Sequence, residues 1–148
     1  MSKRLNYHSL AAAGVKALGA VSAYGDNCSI EPQLRRLVEL RVSQINGCAY
    51  CLDMHARQLR QIGEKQQRLD VLSAWHETSF FSKRECAALA WAESVTLVST
   101  THVPDEDFAA ARAEFSEQEL ADLTLIIVAM NSWNRLAISF RSEPAAAP

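Results

Sequence analysis

An Asn46-Gly47 break followed at once by Cys48-Ala49-Tyr50-Cys51-Leu52-Asp53-Met54-His55 constrains this chain more than any other stretch. Asn-Gly is a turn signal, and good helix formers run from Ala49 to Leu59, so Cys48 is expected to open a helix. Side chains three and four residues apart on a helix lie over one another. Cys48, Cys51 and His55 therefore share one stripe at a helix N-terminus. The helix dipole and its free N–H groups favour a thiolate there, and a neighbouring imidazole can take the thiol proton. A helix that begins at Cys48 makes this a redox-active dithiol.

Helical signals continue on both sides of the motif. Leu5 to Tyr24 has a helical apolar rhythm and ends at Gly25-Asp26-Asn27. Ser29 is a candidate cap for a second helix with Pro32 in its first turn, running to about Asn46, with Gly47 as a left-handed terminator. Arg41 falls inside that helix's apolar stripe of Leu34, Leu37, Val38, Val42 and Ile45. A buried guanidinium is costly without a carboxylate, so a partner is expected among Glu93, Glu77 and Asp53, with Arg41–Glu93 as the ion pair. The motif helix then runs to about Ile62, and a fourth helix covers roughly Glu64 to Trp75. Ser82-Lys83-Arg84-Glu85 and Ser116-Glu117-Gln118-Glu119 have the form of capping boxes. They open a helix through about Val98 and a last long helix; a short one over about Asp105 to Phe115 lies between. No stretch alternates with period two. The expectation is an all-α bundle of about six to seven helices.

At 148 residues the chain is read as one domain, 1–148, with an N-terminal helix inside 1–28 and a fraying tail at 143–148. A net charge of −2 offers no electrostatic footprint for nucleic acid or anionic membrane. Leu123 to Met130 is too short to span a bilayer, and Asn6, Tyr7, His8 and Lys16 interrupt any signal-peptide pattern, so a cytoplasmic protein is expected. The last helix is apolar on more than one face (Ile126, Ile127, Val128, Ala129), which suggests a subunit interface.

Several duller readings compete for the motif. A thioredoxin site needs a strand feeding the cysteines, and the feeding segment here is helical. Covalent haem attachment needs histidine where Leu52 stands. Zinc could take Cys48, Cys51 and His55, with Cys28, His76, Cys86 or His102 as a fourth ligand. The second short-spaced couple usual in structural zinc sites is missing, so no metal is expected. Two buried thiols and a surface histidine make the plainest alternative. His8, His76 and His102 are read as surface or capping residues, Cys28 and Cys86 as ordinary thiols, and Trp75, Trp91 and Trp133 as core.

The run from Leu40 to His55 closely resembles the alkylhydroperoxidase D-like branch of the carboxymuconolactone decarboxylase superfamily. The likeness continues at Leu72-Ser73-Ala74-Trp75, Ala87-Ala88-Leu89-Ala90-Trp91, His102-Val103-Pro104-Asp105 and Asn131-Ser132-Trp133-Asn134-Arg135. The decarboxylase branch lacks the Cys-x-x-Cys pair. The resemblance implies an all-helical homo-oligomer, a trimer or hexamer. It also implies hydroperoxide reduction by a dithiol that cycles through a Cys48–Cys51 disulfide, with no other cofactor. Cys51 would be the peroxidatic thiol, Cys48 its resolving partner and His55 part of a proton relay. The reductant would be a thiol donor such as a lipoyl-bearing protein. One departure stands out: the family's glutamate twelve residues before the first cysteine is Arg36 here, and Glu39, one turn on, is the substitute candidate. Tyr50 occupies a relay position that is often histidine. A non-catalytic redox sensor or scaffold, and a decarboxylase-like enzyme that uses the histidine alone, remain as alternative functions.

Overall fold

The computed structural model describes residues 2–146, and every regular element among them is helical. In chain order these are α1 (Tyr7–Leu10), α2 (Ala12–Gly25), α3 (Pro32–Asn46), α4 (Ala49–Gln61), α5 (Gln66–Val71), a 3₁₀ segment (Leu72–Glu77), α6 (Lys83–Thr96), α7 (Val98–Thr101), α8 (Asp105–Arg112) and α9 (Glu117–Ser139). The all-α expectation holds, with more segments than the six to seven expected, because three predicted helices are broken.

Two of the three breaks coincide with tertiary packing. The N-terminal helix divides at Ala11, whose φ of −120° and ψ of 40° leave the helical region. Ahead of it, buried Tyr7 packs on Phe140 with ring centroids 5.3 Å apart, and the Arg4 N–H donates to the Phe140 carbonyl. The helix predicted to reach Trp75 gives way to the 3₁₀ turn, with Ala74 out of helical geometry and Leu72 fully buried. The helix from Ser82 stops at Thr96, and α7 follows after Leu97. Ser29 is not the cap of α3. Glu31 holds that position, and the Ser29 N–H and hydroxyl both donate to buried Asp122 on α9, at 3.1 and 2.7 Å. Of the tail, Ser142 to Ala146 carry no regular structure, and Ala147 and Pro148 lie outside the described residues.

The local signals fared better. Both capping boxes form, with Ser82 and Ser116 each accepting from the N–H three residues on. Gly47 ends α3 in the left-handed conformation at φ 70°.

α3 lies at the centre, packed against α4, α6 and α9. One face (Leu34, Val38, Val42) enters a core built with Leu123, Ile127 and Met130 of α9, and another (Leu37, Leu40) meets Leu59, Leu72 and Leu89. Burying both faces fixes α3 as the wall against which the motif helix is placed. Its C-terminal end is held by a polar strap. Asn46 donates to Asn131 and Asn134 at 3.0 and 2.9 Å, and Asn134 donates to the Ser43 hydroxyl at 3.2 Å. Asn134 is completely buried. Asn134→Ala removes two hydrogen bonds at a fully buried position, although Asn46 keeps Asn131 and the Ser43 hydroxyl keeps the Glu39 carbonyl, and we expect about 1–3 kcal/mol of lost stability in urea unfolding. A loss within error would show that the strap holds nothing in place.

Candidate active site

The motif is set by the turn between α3 and α4. Cys48 is extended (φ −87°, ψ 95°) and is the N-cap, its sulfur accepting from the Cys51 N–H at 3.4 Å. Helix α4 therefore begins one residue after Cys48, and Cys51 sits in its first turn. The two sulfurs are joined in a disulfide with Cα atoms 5.4 Å apart, and both residues are buried.

His55 follows one helical turn later and is also buried. Its Nδ1 lies 3.3 Å from Glu39 Oε2 and 3.1 Å from Gln58 Oε1, while Nε2 contacts Met130 Sδ at 3.1 Å. A carboxylate only accepts, so Glu39 places the hydrogen of the neutral ring on Nδ1 and leaves the lone pair on Nε2. Glu39 is itself clamped. Arg35 Nε donates to Oε1 at 2.9 Å and Arg36 Nη1 to Oε2 at 2.7 Å. Asp26 pairs with both arginines, and Arg35 also reaches the Ser22 carbonyl at 3.2 Å. The close approach of α2 needs Gly25, where a Cβ would stand 3.3 Å from Ile126 and 3.4 Å from the Arg35 guanidinium carbon.

Burial pushes the His55 pKa below its ordinary 6.5; Glu39 pulls it back up, and the Arg36 and Arg35 charges push it down again. The unfolded chain thus binds this proton more readily than the folded one. His55 then contributes stability that is fully present above about pH 6.5 and is lost as pH falls through the lowered folded value. Urea unfolding of the disulfide form between about pH 5 and 7 should show stability rising with pH more steeply than in His55→Gln. Parallel slopes would contradict this.

A cavity of about 270 Å³ opens on the site. Cys51, His55, Tyr50 and Met54 come to it from α4, and Arg35, Arg36 and Glu39 from α3. Tyr7, His8 and Val21 also line it, as do Met130, Ile126 and Trp133 of α9. Cys51 lines this space and Cys48 does not. Trp133, expected in the core, is half-buried and forms cavity wall, its indole N–H held by the Ser22 hydroxyl at 2.7 Å.

The other expected residues lie elsewhere. Arg41 is partly exposed rather than buried, and its Nε donates to Glu93 Oε1 at 2.8 Å, an oxygen shared with the Trp75 indole N–H at 2.7 Å. That pair is not part of the cavity. Cys28 and Cys86 donate to local carbonyls, at 3.4 and 3.6 Å. Among the described residues no three His, Cys, Asp or Glu side chains are grouped to hold a metal ion. His8 is exposed at the cavity and stacks on Tyr7; His76 and His102 are exposed away from it. Asp26, Gln58 and Met130 belong to the site and were given no functional role from the sequence, where Asp26 marked a helix end and Met130 an inward-facing position. Gln58, three residues after His55, was within reach of a helical-spacing argument; Met130 was not.

Buried thiols at a helix mouth, an imidazole one turn on and an acid behind it define an all-helical protein built around a dithiol. The profile of the Carboxymuconolactone decarboxylase family matches residues 10–94, more than half of the chain. The chain belongs to that family, as an alkylhydroperoxidase D-like member. Among its relatives is the uncharacterized protein YdfG of Bacillus subtilis (strain 168), 41% identical over 145 residues, covering 98% of this chain and 99% of YdfG. An Agrobacterium tumefaciens protein of unknown function, with a proposed identity as the antioxidant defence protein AhpD, superposes with a TM-score of 0.95. It is 36% identical, with 99% of this chain and 100% of that one covered. A peroxidase-related protein from Silicibacter sp. TM1040 matches at TM-score 0.76 and 25% identity, covering 89% of this chain and 72% of its own. Among the described residues no helix is long and apolar enough to cross a membrane.

Proposed function

We propose that this protein reduces hydroperoxides with the Cys48/Cys51 dithiol and is reset by an external thiol donor. The observation that carries this reading is that Cys51 and His55 line one cavity while Cys48, bonded to Cys51, stays out of it. In the reduced protein the Cys51 thiolate attacks the distal peroxide oxygen. The O–O bond breaks, the alkoxide leaves as alcohol after protonation, and Cys51 becomes a sulfenic acid. The Cys48 thiol displaces water from that sulfur to form the disulfide, and a dithiol such as a lipoyl-bearing protein returns both thiols by exchange. His55 Nε2 serves as the base for the Cys51 thiol, and Glu39, in place of the family's residue at Arg36, supports the imidazolium that results. Exposed Leu125 and Val128 on α9 suit a subunit contact in a trimer or hexamer of this chain.

The test is cumene hydroperoxide consumption with a reduced lipoyl donor, alongside thiol counting. Expected is multiple turnover, with the chain's four thiols falling to two after peroxide exposure. Two thiols lost without turnover would mean a redox sensor. Turnover of a lactone acid by a double cysteine variant would mean decarboxylase-like chemistry.

A further inference from the structure

Beyond Met1, the chain has two methionines, Met54 and Met130, and both line the cavity shared by Cys51 and His55. Met130 is buried from bulk solvent, and its sulfur stands 3.1 Å from His55 Nε2. Any hydroperoxide that reaches Cys51 therefore enters a space walled by a thioether with an imidazole nitrogen beside it. A thioether is a two-electron reductant toward a peroxide, but a slower one than a thiolate. It has little part while the dithiol is reduced. Once the sulfurs are tied up in the disulfide, it is the reduced sulfur placed against the proton-transfer group.

We propose that Met130 is a second oxygen acceptor, used when the disulfide is not reset: a hydroperoxide in the cavity gives its distal oxygen to Met130 Sδ. The sulfur lone pair forms the S–O bond as the O–O bond breaks. Sulfur is oxidised by two electrons and the peroxide reduced by two. The proton on the distal oxygen passes to His55 Nε2 and from there to the departing alkoxide, so the products are an alcohol and methionine sulfoxide. The sulfoxide oxygen then lies against Nε2, the nitrogen the dithiol cycle needs, and holds the site inactive until a methionine sulfoxide reductase removes it. Met54 lies on α4, half-buried, and it is Met130 that touches the ring. The inference rests on the reading of the cavity as a hydroperoxide site.

The disulfide form is incubated with excess cumene hydroperoxide and no reductant, mapped by peptide mass spectrometry, and then assayed with dithiol donor. Expected is one added oxygen on Met130 well ahead of Met54, turnover lost in step with it, and recovery on treatment with methionine sulfoxide reductase. Met130→Leu should keep its own starting rate through the same incubation, and His55→Gln should slow Met130 oxidation by roughly 10²-fold while leaving Met54 alone. Oxygen shared equally with Met54, a loss that the reductase does not reverse, or a Met130 rate indifferent to His55→Gln would overturn the inference. Reduced protein whose thiols ignore peroxide would instead overturn the function proposed above, and the Met130 map would still decide this one.

Discussion

Cys51→Ser is expected to abolish hydroperoxide turnover, whereas Cys48→Ser should complete one reduction and stall. The two thiols are equally buried, so exposure to bulk solvent does not separate them. Position does. Cys51 stands in the first turn of α4 and lines the cavity, while Cys48 is the N-cap and does not line it. In the proposed cycle Cys51 is therefore the thiol that meets the substrate, and Cys48, bonded to it, is the one that resolves it. Serine is close in volume to cysteine, so both variants should fold. Their rates with cumene hydroperoxide and a dithiol donor make the check; Cys51→Ser running at the wild-type rate would remove the assignment.

His55→Gln should cost about 10²–10⁴-fold in peroxide turnover, the range for losing a positioned general acid–base group. The charges facing the ring predict how its neighbours act. Glu39 approaches Nδ1, and Arg35 and Arg36 stand behind Glu39 with Asp26 between them. Glu39 favours the imidazolium, while Arg36 disfavours it. Removing the anion should therefore lower the His55 pKa further, and removing the cation should raise it. The acid limb of the pH–rate profile is expected to move to lower pH in Glu39→Gln and to higher pH in Arg36→Gln. Glu39→Gln should also be slower, though less so than His55→Gln. General loosening of the site would shift both profiles the same way, and that result would show Glu39 to be packing rather than relay.

What could be read from the sequence was local. The Asn46-Gly47 terminator, the cysteine and histidine spacing and the two capping boxes depend on residues within a few positions of one another, and each formed. The breaks at Ala11 and Leu72 left no such mark, because Tyr7 against Phe140 and the burial of Leu72 are decided by distant packing. Glu39 shows the limit well. Three residues on a helix of 3.6 per turn leave it about 60° from Arg36, which argues against one serving in the other's place. In the fold both line the cavity, and the long Arg36 side chain leans back to hold the Glu39 carboxylate toward His55. Met130 is 75 residues from His55, and only the packing of α9 on α3 and α4 brings them together.

The central claim is that Cys51, in the cavity it shares with His55, is the sulfur that takes oxygen from a peroxide. The most direct measurement treats reduced Cys48→Ser with one equivalent of cumene hydroperoxide in the presence of dimedone and maps the product by mass spectrometry. A single dimedone adduct on Cys51, with Cys28 and Cys86 unmodified, is the predicted result. An adduct on another cysteine, or peroxide left unconsumed with Cys51 still a thiol, would contradict it.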